Sequence, residues 1–176
     1  MEKLKYPIGQ FEKPDNISLI DIKNWVDDIR TFPEKVRIEV DGLNEEKLAW
    51  IYRSEGWSIQ QLIHHCADSH MNAFIRFKLA LTENNPTIRP YLEDRWAKLP
   101  DTTQTPIILS LQLLEALHSR WTVLLENITP EELKRTFVHP EHGAQFTLEE
   151  TIGSYAWHCN HHLEHIRQAK KYQGQF

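Results

Sequence analysis

Only two cysteines, Cys66 and Cys159, occur in 176 residues. A single pair cannot build the disulfide framework of a small secreted protein, so both are expected as reduced thiols and the chain as cytoplasmic. Long apolar runs are missing too. Met1 to Pro14 mixes Lys, Glu, Tyr and Pro without an apolar h-region, and no later stretch reads as a membrane span. There is no basic block: 20 Lys+Arg stand against 25 Asp+Glu, a formal charge of −5. Such a chain has little attraction for phosphate backbones, and nucleic acid is not an expected partner. Internal repeats and low-complexity tracts are absent, and strand-like alternation is scarce. What remains is ordinary globular composition, 40% hydrophobic and 26% charged, in a length that fits one domain over residues 1–176.

Apolar residues recur at helical spacing in four stretches. Ser18 can cap a helix carrying Leu19, Ile22, Trp25, Val26 and Ile29. Pro33 is expected to interrupt it, starting a second piece that ends near Val40 before Asp41-Gly42. A short helical turn is expected between Asn44 and Trp50. The next helix is long, because neither Gly nor Pro occurs from Trp57 to Asn85; Ser58 with Gln61 has capping-box spacing, and the end falls near Thr82. Asn84-Asn85-Pro86 and Pro90 then force a loop, with a turn at Tyr91 to Leu99, that lasts until Pro106 restarts a helix. Loops of that length often border a site. Phe137 to Phe146 reads as loop or marginal hairpin. Thr147, with Glu150, caps a last helix running to about Tyr172. The fold class is all-α: a four-helix bundle with irregular crossover loops, an architecture whose core commonly hosts metal sites.

The chain is rich in histidine. Of ten, seven fall in two clusters: His64, His65 and His70, then His158, His161, His162 and His165. On the last helix Leu148, Ile152, Tyr155, Cys159, Leu163 and Ile166 form the buried stripe. His162 lies roughly 60° and His158 roughly 100° from its centre. These two are one turn apart on the edge of the buried face, with Cβ atoms about 6 Å apart, and can converge on one ion. The pair His161/His165 has the same spacing but is expected to face solvent. A partner should come from the Trp57–Thr82 helix. There the wheel places His70 near the centre of the stripe, His65 on a flank with Ser69, Ala73 and Arg76, and His64 pointing away. A buried histidine is more often hydrogen-bonded than metal-bound, and the wheel leaves His65 and His70 both open.

Longer motifs extend this reading. Gly56-Trp57-Ser58, the run His64-His65-Cys66-Ala67-Asp68-Ser69-His70-Met71-Asn72 and Arg76 to Glu83 resemble the YfiT-like branch of the DinB superfamily. So do Pro86 to Tyr91, Phe137 to Gly143, Tyr155-Ala156-Trp157-His158 with His161-His162, and the opening Tyr6-Pro7-Ile8-Gly9. The motifs occur in order over essentially the whole chain. The resemblance implies a DinB-type four-helix bundle, a homodimer, and one divalent metal ion per subunit on three histidines: His65, before x-Ala-Asp; His158, of the Tyr-x-Trp-His run; and His162. Zn²⁺ is the first expectation and Ni²⁺ the second. The implied activity is that of a metal-dependent hydrolase acting on a small molecule. The alternatives are transfer of a low-molecular-weight thiol such as bacillithiol to an electrophile, or a non-catalytic metal-binding stress protein.

Three neutral imidazoles leave the ion its full charge and at least one open position, the arrangement of catalytic zinc. Water there approaches a pKa of about 7, and a thiol is deprotonated outright. The site thus suits hydrolysis and thiol transfer equally. No general base is assigned: Asp68, Glu149 and Glu164 read as solvated helix-face charges, Arg76 as a surface ion pair or a contact to an anionic substrate, and Cys66 and Cys159 as core residues.

Overall fold

Ser18 opens the first long helix of the computed structural model, which describes residues 2–141 and 143–176; His142, in the Phe137–Gly143 run, lies outside them. The Ser18 hydroxyl accepts from the Asp21 N–H while the Asp21 carboxylate accepts from the Ser18 N–H, a reciprocal cap. The helix that follows, α1 (Leu19–Val40), does not stop at Pro33. An internal proline removes one N–H and usually costs about 3 kcal/mol. Here the carbonyl left without its helical donor, that of Ile29, accepts instead from His118 Nδ1 at 2.6 Å. A side chain from elsewhere in the bundle thus satisfies the group that proline orphans, and two expected pieces are one helix.

Asn44 caps a single turn, Glu45–Leu48, before α2 (Ile59–Thr82) begins at the Ser58/Gln61 capping box. Two further single turns, Glu93–Trp96 and Pro100–Thr103, punctuate the loop to α3 (Ile107–Glu126). A 3₁₀ turn, Glu132–Lys134, leads into a hairpin of β1 (Thr136–His139) and β2 (Ala144–Thr147), in register Thr136 with Thr147 through His139 with Ala144. Val138 also bonds the post-α2 loop, its N–H donating to the Pro86 carbonyl and its carbonyl accepting from Ile88. Thr147 then caps α4 (Leu148–Tyr172).

The packing is a four-helix bundle in which α1 rests on α4 and α3, and α2 on α3 and α4. Helices consecutive in the chain, α1/α2 and α3/α4, therefore sit on the diagonals, which explains the long connections between them. One apolar cluster fills the middle, with Phe32, Leu62, Phe77, Leu114, Trp121, Ile152 and Ile166 almost fully enclosed. Cys66 and Cys159 lie within it as small apolar side chains. No helix among the described residues is long and apolar enough to cross a membrane.

Candidate metal centre

His65 from α2 and His158 and His162 from α4 meet at the face these adjacent helices share. Their ligand-capable nitrogens all lie within 4.8 Å of one another. His65 Nε2 and His158 Nε2 are 3.3 Å apart. Two imidazoles on one tetrahedral ion, with metal–nitrogen bonds of about 2.0–2.1 Å, would hold their nitrogens roughly 3.3 Å apart, so the donor set fits such an ion. The rings pack edge to face, His65 on His162 at 4.8 Å and His158 on His162 at 4.4 Å between centroids. Trp57 covers His65 at 4.5 Å.

Behind each α4 ring stands a chain of hydrogen bonds that ends on a backbone carbonyl, and the carbonyl fixes every proton in the chain. The Ile29 carbonyl can only accept, so His118 Nδ1 carries hydrogen. His118 Nε2 is then the acceptor for His70 Nδ1, 2.7 Å away. His70 Nε2 in turn accepts from His158 Nδ1 at 3.0 Å. His158 is left with its lone pair on Nε2, the nitrogen that faces His65. This chain touches all four helices. The second chain begins at the Lys5 carbonyl, which accepts from His165 Nε2 at 3.1 Å. His165 Nδ1 faces His162 Nδ1 at 3.3 Å and accepts from it, so the free lone pair of His162 is on Nε2. The assignment requires neutral rings, and burial supplies that condition. It pushes His65, with help from nearby His161, and His118 down to about 4, and His165 to about 3; His70, His158 and His162 are held well below the ordinary histidine range by burial first and by surrounding histidines second, His118 for His70, His65 for His158 and His158 for His162. Neutral imidazole is the form that binds metal.

His158 also lines a cavity of about 730 Å³ walled by α2, α4, the 90–95 loop and the hairpin. Ser69 Oγ lies 3.5 Å from His158 Nε2 at its inner end. The Ser69 hydroxyl interacts with the phenols of Tyr91 and Tyr155, and Tyr155 Oη accepts from Arg76 Nη1 at 3.3 Å.

Comparison with known proteins agrees with this architecture. Residues 29–166 match the DinB superfamily. The chain belongs to that family. DinB relatives include two proteins named "putative metal-dependent hydrolase". One, from Halalkalibacterium halodurans, is 48% identical over 94% of this chain and 95% of its own. The other, from Oceanobacillus iheyensis, is 51% identical over 92% and 93%. YfiT from Bacillus subtilis, described as a probable metal-dependent hydrolase with an unusual four-helix bundle topology, superposes with a TM-score of 0.95 at 41% identity, covering 98% of both chains.

Around this DinB site several expectations change. His161 and His165 do not face solvent but are buried: Tyr6 of the N-terminal segment and Trp157 of α4 stack on His161, and Tyr52 of the α1–α2 connection stacks on His165, which also reaches the Lys5 carbonyl. His161, His162 and His165 form a second close group, yet both nitrogens of His165 are engaged, which reads as orientation of His162. His64, also buried, turns to α3, where Ser110 Oγ and the Thr105 carbonyl sit 2.7 and 3.0 Å from its nitrogens. His70 is central and buried, as the wheel has it, but its partners are His118 and His158. His118 was not singled out by sequence; only the proline four residues beyond Ile29 hints that some donor must arrive there. Glu149 pairs with Lys134 and Glu164 with Arg167, so neither serves as a base. Arg76 forms no ion pair among the described residues.

Proposed function

We propose that this DinB protein is a metal-dependent hydrolase of small molecules, with His65, His158 and His162 as the ligands of one divalent ion, Zn²⁺ before Ni²⁺. The observation that carries the reading is the convergence of three neutral imidazoles, His65 and His162 buried and His158 half-buried on the wall of a cavity of about 730 Å³, within the usual range for a small-molecule site. An ion held there supplies Lewis acidity and lowers the pKa of a group in its open position. The chain's residues do the rest. The two carbonyl-anchored chains hold His158 and His162 in the ligand tautomer. Trp57 and the α2/α4 packing keep bulk water from the rings, and the Ser69, Tyr91 and Tyr155 hydroxyls offer hydrogen bonds to a substrate on the cavity side.

One feature favours thiol transfer as the second reading. No carboxylate hydrogen-bonds to any of the three rings among the described residues, so none is held against the ligands as a base for water. A thiol deprotonated by the ion needs none.

Metal analysis of the wild type beside His65→Ala, His158→Ala and His162→Ala tests the ligand set. The expected result is loss of most bound metal in each; full occupancy in all three ends the proposal. Incubating the metal-loaded protein with a bimane electrophile and a panel of thiols separates the two chemistries, since turnover that requires a thiol removes hydrolysis as the main activity.

A further inference from the structure

Arg76 has no charged counterpart among the described residues. It lies on α2 seven residues beyond Ser69, half-buried, on the wall of the cavity that reaches His158. Its Nε is out of contact with solvent and has no hydrogen-bond partner among the described residues, and Nη1 donates to Tyr155 Oη. No carboxylate comes within ion-pair distance among the described residues, although Glu93, Asp94, Glu141 and Glu150 line the same cavity. Glu150 is paired with Lys13, and burial together with the neighbouring Asp94 and Glu141 raises the Glu93 carboxyl above the usual range. A guanidinium has five donors in a planar fork suited to a carboxylate. Desolvating it without pairing it is unfavourable, and an incoming anion relieves that cost.

We infer that Arg76 is a binding subsite for the carboxylate of an elongated small-molecule ligand whose other end lies at the histidine cluster. This rests on the reading of that cluster as the reaction centre. Arg76 Nη1 is 3.3 Å from Tyr155 Oη, that phenol interacts with Ser69, and Ser69 Oγ is 3.5 Å from His158 Nε2; with a middle step of about 3 Å, the guanidinium lies within roughly 10 Å of the cluster. The ligand therefore carries its anion within roughly 10 Å of the group presented to the histidines. The cavity lining also includes Phe11, Pro90, Phe137, Phe146 and Trp157, which offer apolar contacts to the body of such a ligand. Tyr155 is the positioning residue of the subsite, because its hydroxyl takes one Arg76 N–H and fixes the plane of the fork.

Monomethyl suberate, a carboxylate with a neutral ester at about that separation, and dimethyl suberate, its uncharged counterpart, test the inference when titrated by calorimetry into metal-free and metal-loaded protein. The monoester should bind about tenfold more tightly than the diester. Arg76→Gln should abolish that preference, and Arg76→Lys should keep part of it. Equal binding of charged and uncharged forms overturns the proposal, as does an undiminished preference in Arg76→Gln. A large fall in the melting temperature of Arg76→Gln without any change in preference overturns it as well, and points to Arg76 pairing with Glu93 within the fold. Metal content of Arg76→Gln should equal that of the wild type. The metal-free titration keeps the two readings apart: if the histidine variants retain their metal, the ligand assignment fails while the Arg76 preference is still measured.

Discussion

Replacing His70 should weaken metal binding although His70 touches no metal. In His70→Leu the His158 Nδ1–H loses its acceptor and His118 Nε2 loses its donor, both inside the core. Each buried group left unsatisfied costs about 1–3 kcal/mol, so the metal-free protein should lose roughly 2–6 kcal/mol of stability. The His158 ring is then free to rotate or to move its proton to Nε2, where the lone pair is needed. Loss of such an orienting partner typically lowers metal affinity by about 10–100-fold. His70→Gln provides the decisive comparison. Its amide can accept from His158 and donate to His118, so most of the affinity should return. The assay is competition for Zn²⁺ against a chromophoric chelator, with urea unfolding of the metal-free forms alongside. Long-range ¹⁵N–¹H correlations on wild-type protein should show His158 Nδ1 protonated and Nε2 bare. If His158 proves to carry its proton on Nε2, or if His70→Leu binds zinc as tightly as wild type, the hydrogen-bond chain does not govern the ligand.

On the other arm, His165→Leu should lower zinc affinity about tenfold. It should also speed proteolysis within the first ten residues, because the Lys5 carbonyl loses its donor; unchanged affinity and unchanged cleavage would refute the second chain. Acid should destabilise the metal-free protein early. His65, His118 and His161 titrate at about 4 and His165 at about 3 when folded, against about 6.5 unfolded, so the unfolded chain takes protons first and stability falls as pH drops below about 6.5. Between pH 7 and 5 each such ring removes about 2 kcal/mol, and a urea midpoint that stays flat over that range would contradict the neutral rings.

How much of this was legible beforehand depended on the range of the interaction. The caps at Ser18, Ser58 and Thr147 and the apolar spacing gave helix positions correctly, since those signals span only a few residues. The wheel also put His158 and His162 on the edge of the buried face. It could not choose between His65 and His70, because both are buried and differ in what approaches from α4 and α3. It misplaced His161 and His165, whose cover comes from a segment some 150 residues earlier. The break expected at Pro33 failed for the same reason: the donor that rescues the Ile29 carbonyl arrives from α3, 89 residues away.

The diagonal order of the helices has a bearing on assembly. His65 and His158 are separated by 93 residues, and the helices that carry them become neighbours only when the C-terminal quarter of the chain has docked. An ion bound there closes a long loop and, by mass action, adds to the stability of the finished bundle alone. Nascent or truncated chains ending before α4 would have one imidazole to offer, so metal capture would mark the completion of folding and guard against premature loading.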